Sequence, residues 1–318
     1  MSATAENLHD ATNDDLREQI AELQRENPGL SRAEIARQSG ISSARLSRYL
    51  NGSYPGDNAA VEAQLQRWID SYHRRELEAE ALPPAPWYVE TPTSERITAA
   101  LRYAQLAGDI TVVYGGAGLG KTRTIENYRA HNPNVWIATM TPATATVVPA
   151  LEEIAEALGI QATGGAARIQ RAIIRKLRGT MGLLIVDEAQ HLGVQGLDAV
   201  RALHDATEVG LALCGNESVY ARMTGGNRAA YLDRLFSRVG KRLYLRRVTH
   251  ADVDTVINAW SVEAGECRTL LHQIAAKPGG LRDLTKTLRL ASMFAAGRGE
   301  KLCCQDIREA WADRVEEA

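Results

Sequence analysis

Lys121 and Thr122 close a glycine-rich stretch, Gly115-Gly116-Ala117-Gly118-Leu119-Gly120, in the spacing G-x-x-x-x-G-K-T. Such a stretch has one chemistry in particular. Glycines let successive backbone N–H groups curl around phosphate oxygens, and a helix that follows points its positive end at them. Lys121 is placed to reach the β- and γ-phosphates, and Thr122 offers a hydroxyl to Mg²⁺. Arg123, next in the chain, is counted with the nucleotide-binding set. A second signal is the acidic pair Asp187-Glu188, which ends the apolar run Gly182-Leu183-Leu184-Ile185-Val186. Acids at the C-terminal edge of a buried parallel strand face the ligand crevice. Asp187 can hold Mg²⁺, directly or through its water shell, and Glu188 is placed to polarise an attacking water as general base. Asn216 ends a further strand, where it either fixes the water or reports the γ-phosphate, or is simply the turn residue after Gly215. The expected ligands are ATP and Mg²⁺.

These groups need a scaffold, and its parts are legible. Ile110 to Tyr114 is a β-branched run feeding the loop, and Arg123 to Ala130 suits the helix after it. Val135 to Ala138 reads as a second strand and Gly210 to Asn216 as another, with helices over Ala150 to Leu158 and from Thr93 or Ser94 to about Leu106. From Thr249 onward the pattern is helical, with Val253, Val256, Ile257 and Trp260 on one stripe. It breaks at Lys277-Pro278-Gly279-Gly280 and ends in an amphipathic helix from Leu302 to Val315. The fold class is therefore α/β: a parallel sheet flanked by helices, with a C-terminal helical part. Arg282, heading the helix after the glycine pair, is placed to reach back to the γ-phosphate.

Near the N-terminus, Leu30 to Gly52 has helix-turn-helix spacing. Ser31 and Glu34 make a capping box, Gly40 supplies a tight turn, and Ser42 or Ser43 caps the second helix. That helix is expected to turn Ser43, Arg45, Ser47, Arg48 and Tyr49 outward, types suited to phosphates and base edges. Asp57 or Asn58 caps a longer helix with Val61, Leu65, Trp68, Ile69 and Tyr72 on one face. Leu82-Pro83-Pro84-Ala85-Pro86 is a stiff linker. The expected division is an all-α helix-turn-helix domain (1–80), a linker (81–92), an ATPase core (93–248) and a helical lid (249–318).

Charge and composition narrow the partners. The net charge of −2 carries no global basic signature, so any nucleic-acid surface is local. Aromatic content of 5% argues against a base-stacking platform. Two local basic runs stand out. Arg168, Arg171, Arg175, Lys176 and Arg178 share a helix with the apolar Ile169, Ile173, Ile174 and Leu177. They form either a solvated face or a contact to a DNA backbone. Arg228, Arg234, Arg238, Lys241, Arg242, Arg246 and Arg247 follow, with Asp233 the one acid among them. One of these arginines can act in trans on a neighbour's nucleotide. No apolar run approaches the length that crosses a bilayer, and no secretory start is present, so a cytoplasmic, membrane-free protein is expected. Cys214, Cys267, Cys303 and Cys304 lack metal-ligand spacing; they are expected to be reduced, with Cys303-Cys304 serving packing.

In this order the motifs resemble the AAA+ branch of P-loop ATPases. Gly115–Thr122 is similar to Walker A, Asp187-Glu188 to Walker B, Asn216 to sensor 1 and Arg282 to sensor 2. Tracts that ATPase chemistry does not require resemble the phage Mu B-type transposition proteins. They include Trp87-Tyr88-Val89-Glu90-Thr91, Gln190-His191-Leu192-Gly193, Met223-Thr224-Gly225-Gly226-Asn227-Arg228 and Leu235-Phe236-Ser237-Arg238. The resemblance implies an ATP-dependent, largely non-specific binder of double-stranded DNA that assembles with copies of itself as helical filaments. It further implies capture of target DNA for a Mu-type transposase, stimulation of that enzyme, and release on hydrolysis that gives target immunity, all in the nucleoid of a bacterial host. Arg238 is the preferred trans arginine, with Arg234 the other choice; Lys241 and Arg242 join the recognition-helix and Arg168–Arg175 residues as DNA contacts. Two other readings share the motifs: a replication-initiator or helicase-loader ATPase, and an ATP-switched transcriptional regulator.

Overall fold

The computed structural model describes residues 16–27, 29–80, 86–161, 163–224, 237–263 and 265–316. It divides into two compact units, Met1–Leu82 and Pro83–Ala318. Among the described residues, no helix is long and apolar enough to cross a membrane.

The first unit packs α1 (16–26), α2 (Arg32–Ser39), α3 (Ser43–Leu50) and α4 (Asn58–Glu80) around Ile20, Ile35, Leu46, Val61 and Leu65. The Ser31 hydroxyl accepts the Glu34 N–H and Ser42 accepts that of Arg45, so both helix starts are capped as their residue types require. The capping box is only half formed, because Glu34 turns its carboxylate to Arg37 and Gln38. Asp57 rather than Asn58 caps α4, accepting from Ala60.

The second unit is built on a five-stranded parallel sheet: β1 (Ile110–Gly115), β2 (Val135–Thr139), β3 (Leu183–Asp187), β4 (Gly210–Gly215) and β5 (Val239–Leu245), in the spatial order β2-β3-β4-β1-β5. The strands' period of two sorts their side chains. Ile110, Val112, Leu184, Val186, Leu211 and Leu213 meet α7 (Val147–Ala157), α8 (Ala166–Leu177) and α9 (Val194–Thr207) on one face. Val113, Leu183, Ile185, Ala212 and Leu243 meet α5 (Pro92–Ala107) and α6 (Lys121–His131) on the other. Helices on both faces explain why β1, β3 and β4 read as apolar runs. The start of α5 lies earlier than expected. Thr91 is its cap, with Ser94 closing a full capping box and Pro92 at the first helical position, where its missing N–H costs nothing.

After β5, α11 (His250–Ala259), α12 (Gly265–Ala275), α13 (Gly280–Gly297) and α14 (Cys304–Glu316) bury a core of Val253, Ile257, Leu271, Leu284, Leu288 and Ile307. Cys267 on α12 and Cys304 on α14 are joined in a disulfide, which corrects the expectation of four reduced thiols. The helix packing brings their Cα atoms to 5.1 Å, inside bridging range. Cys214, buried on β4, and exposed Cys303 remain thiols.

The buried Asp252 fastens this helical cluster to the sheet region. Its carboxylate accepts from the backbone N–H and hydroxyl of Thr249, and from those of Thr93 on α5 at 2.8 and 2.7 Å. Burial alone would raise this carboxyl's pKa, but the four donors outweigh it and hold the pKa below the usual range. Asp252→Ala strands those donors in a dry site. We expect a loss of about 2–4 kcal/mol and a melting temperature lower by about 5–10 °C, read by calorimetry. Because folding depresses the pKa, this stabilisation is complete above the unfolded value near about 4 and is lost as acid protonates the folded carboxylate. The variant's deficit should therefore shrink on acidification through that range.

Candidate ATP site

Strand β1 delivers Gly115 to the C-terminal edge of the sheet, and the loop 115–120 turns from there into α6. Lys121 folds back into this loop, its Nζ donating to the Gly115 and Gly116 carbonyls at 2.9 and 2.7 Å. Burial lowers the Lys121 pKa; nearby Asp187 and Glu188 oppose that fall, and Arg282 adds to it. A cation held with little water is primed for an anion. β3 runs beside β4 and ends at Asp187, whose Oδ2 accepts the Thr122 hydroxyl at 3.0 Å. Thr122 and Asp187 thus present two oxygens side by side, the hard donors that suit Mg²⁺ with most of its waters retained. Burial raises the Asp187 carboxyl, against the pull of the Glu188 N–H and the Thr122 hydroxyl.

Glu188 follows in the left-handed region, at φ 52°, half-buried at the same edge. Holding a non-glycine residue there costs on the order of 1 kcal/mol, so the surroundings fix this carboxylate's direction. Gln190 is one of those surroundings: its amide donates to Glu188 and its oxygen accepts the Asn216 N–H at 3.2 Å. The sequence offers no sign of this bridge, since a lone glutamine has no spacing to betray it. Asn216 itself caps α10 (Glu217–Thr224), its side-chain oxygen accepting the Ser218 N–H and hydroxyl at 2.9 and 2.6 Å. That oxygen is committed to the cap, so any contact with water or phosphate falls to the amide nitrogen.

The helical cluster closes on the loop from the other side. The Leu281 N–H at the start of α13 donates to the Gly118 carbonyl at 2.9 Å. Gly118, at φ 71°, has no room for a Cβ, which would strike the Gly279 carbonyl. Arg282 is exposed beside this junction and close enough to influence Lys121. Arg123 is the outlier of the nucleotide set. Its guanidinium pairs with Glu126 at 3.0 Å and lies 5.7 Å over the ring of Trp87, itself exposed.

The remaining expected site residues lie elsewhere. Arg238 precedes β5, whose first residue pairs with the first residue of β1, so it sits at the end of the sheet away from its own phosphate loop. Its Nε donates to Asp205 on α9 at 2.7 Å. Arg234 and Arg228 lie outside the described residues. Arg168, Arg171 and Arg175 are exposed along α8, while Ile169, Ile173 and Leu177 fill its buried face. Lys241 and Arg242 lie on edge strand β5, with Arg242 exposed and Lys241 half-buried, its Nζ 6.0 Å from the Tyr103 ring. On α3, Ser43 and Arg48 are exposed and Ser47 is half-buried. Arg45 is half-buried too, its guanidinium 5.4 Å from the Tyr54 ring. Tyr49 does not face outward as expected. It is fully buried, because it falls on the same apolar stripe as Leu46 and faces the core.

A phosphate loop, a Thr–Asp oxygen pair and a second acid at the end of β3, with a helical cluster against the loop, define a P-loop ATPase of the AAA+ class. An AAA domain family matches residues 105–223 and a helix-turn-helix domain family residues 15–66. The family described as Mu B transposition protein, C terminal, matches residues 237–313. Over 289 residues the chain is 42% identical to the ATP-dependent target DNA activator B of Escherichia phage Mu, covering 91% of each. It is 38% identical over 261 residues to the Mu-like prophage FluMu DNA transposition protein B of Haemophilus influenzae, covering 81% of this chain and 90% of that one. The chain belongs to the Mu B transposition protein family. A RuvB variant of Thermotoga maritima is similar with a TM-score of 0.46 at 16% identity, over 70% of this chain and 68% of that one.

Proposed function

We propose that this chain is an ATP-switched target-DNA binder that presents double-stranded DNA to a Mu-type transposase and stimulates it. The observation that carries the reading is the near full-length identity to a phage Mu protein named an ATP-dependent target DNA activator, in a chain that keeps an intact ATP site. In this reading Lys121 and the loop N–H groups bind the phosphates of ATP, and Glu188 orients and deprotonates the attacking water. Thr122 and Asp187 would hold Mg²⁺, which would offset negative charge on the phosphates. Copies of the chain assemble as a helical filament on DNA. Arg238, facing away from its own loop, or Arg234 completes the neighbour's site. Arg282 reads the γ-phosphate of its own. Hydrolysis loosens the interface and releases DNA, which underlies immunity, and the work is done in the host's cytoplasm on nucleoid DNA.

The exposed arginines of α8, with Lys241 and Arg242, and the α3 residues Ser43, Arg45, Ser47 and Arg48, supply phosphate contacts on DNA. A footprint on long random-sequence duplex with ATP tests the reading. Uniform protection is expected, and protection of one discrete site would favour the regulator instead. Binding should weaken steeply with salt. The double variant Arg171→Ala/Arg175→Ala should lower the slope of log K against log salt by about 2, one for each phosphate left without its arginine. An unchanged slope would remove α8 from the interface.

A further inference from the structure

His250 opens α11 and Asp254 lies one turn further along it, while His272 and Arg268 meet them from α12. The two imidazoles approach nitrogen to nitrogen, His250 Nδ1 lying 3.1 Å from His272 Nδ1, with ring centroids 4.9 Å apart. His272 gives its other nitrogen, Nε2, to Asp254 Oδ1 at 3.0 Å. The Arg268 guanidinium donates to the same oxygen at 2.7 Å. The hydrogen bond from His272, with Arg268 beside it, holds the Asp254 carboxyl below the usual carboxylate range, so it stays an anion at neutral pH.

That anion decides the tautomer of His272. A carboxylate only accepts, so the neutral ring carries its proton on Nε2 and presents a lone pair at Nδ1. His250 is exposed. Its proton can therefore sit on Nε2 toward water, which leaves a second lone pair at its Nδ1. Two nitrogens 3.1 Å apart, each about 2.0–2.1 Å from one ion, subtend about 100° there, between the octahedral and tetrahedral angles. A carboxylate behind a ligating histidine fixes the ring and raises its basicity as a ligand. From this geometry we propose that His250 and His272 bind a divalent transition metal of the zinc type, with Asp254 orienting His272. Two neutral imidazoles suit Zn²⁺ rather than Mg²⁺ or Ca²⁺, which take oxygen, so the site is separate from the Thr122–Asp187 pair. Among the described residues no group of three or more His, Cys, Asp or Glu is placed to hold a metal, so water completes the coordination. The ion takes the place of the proton between the two rings and ties the first turn of α11 to α12.

Calorimetric titration of Zn²⁺ into the untagged full-length protein tests this. Nucleotide and Mg²⁺ are left out, and Cys303→Ser is the background, so that the exposed thiol takes no metal. One Zn²⁺ per chain is expected, bound tighter than about 100 µM, and saturation should raise the melting temperature by about 3–5 °C. His250→Gln removes a ligand at an exposed position; it should weaken binding by at least about tenfold and leave the metal-free protein folded. Asp254→Asn keeps both ligands and should weaken binding about tenfold, because the anion behind His272 is gone. His131→Gln, which alters an exposed histidine on α6, should bind as wild type does. Binding weaker than about 100 µM, or wild-type affinity in His250→Gln, overturns the inference. So does a loss of binding in His131→Gln. Unchanged affinity in Asp254→Asn removes the orienting role given to that carboxylate.

Discussion

Lys121→Ala is expected to abolish ATP hydrolysis and to weaken ATP binding by about a hundredfold or more. The ammonium sits in a loop of carbonyls and N–H groups with little water, donating to Gly115 and Gly116. Charge-assisted hydrogen bonds to phosphate oxygens in such a site are worth about 1.5–3 kcal/mol each, and removing two of them reaches that factor. Deleting a buried cation does not by itself destabilise the fold, because burial already disfavours the charge. A fluorescent-nucleotide titration together with a thermal melt checks both parts. Full ATP affinity in a folded Lys121→Ala protein would show that the loop does not hold the phosphates.

Glu188→Gln should act on the other half of the cycle. The amide has the size of the carboxylate but cannot take a proton, so hydrolysis should fall by about 10²–10⁴ while ATP affinity stays within about threefold. Asp187 and Thr122 keep their own contact, since neither depends on Glu188's charge. The expected product is an ATP-bound protein that does not turn over. Single-turnover kinetics with radiolabelled ATP separates this from a binding defect; a hydrolysis rate close to wild type would mean that another group activates the water.

How far the molecule is legible in its sequence depends on whether chemistry or packing dictates the residue. Gly115–Thr122 and Asp187-Glu188 are readable because each is a short contiguous pattern whose types and spacing match the proposed phosphate and metal chemistry, and β1, β3 and β4 because burial on both faces demands apolar runs. Strand β5 is hidden. As an edge strand it keeps only Leu243 and Leu245 fully buried and exposes Arg242 and Tyr244, so its pattern reads as a basic patch. Asn216 invites a chemical reading, yet its side-chain oxygen caps a helix. The Cys267–Cys304 bridge joins residues 37 positions apart and exists only through the packing of α12 on α14. Asp252 and Gln190 are silent for the same reason: their partners Thr93 and Asn216 lie far along the chain, and only the folded topology brings them near.

In the proposed function bound ATP, not the helix-turn-helix alone, switches the chain onto DNA. By linkage, if ATP tightens DNA binding then DNA tightens ATP binding by the same factor. The direct measurement is binding to random-sequence duplex by wild type, Lys121→Ala and Glu188→Gln, with and without ATP and Mg²⁺, the assemblies imaged by electron microscopy. ATP-induced filaments are expected for wild type, none for Lys121→Ala, and filaments for Glu188→Gln that outlast those of wild type. Binding that is equally tight without ATP, or that survives unchanged in Lys121→Ala, would contradict it.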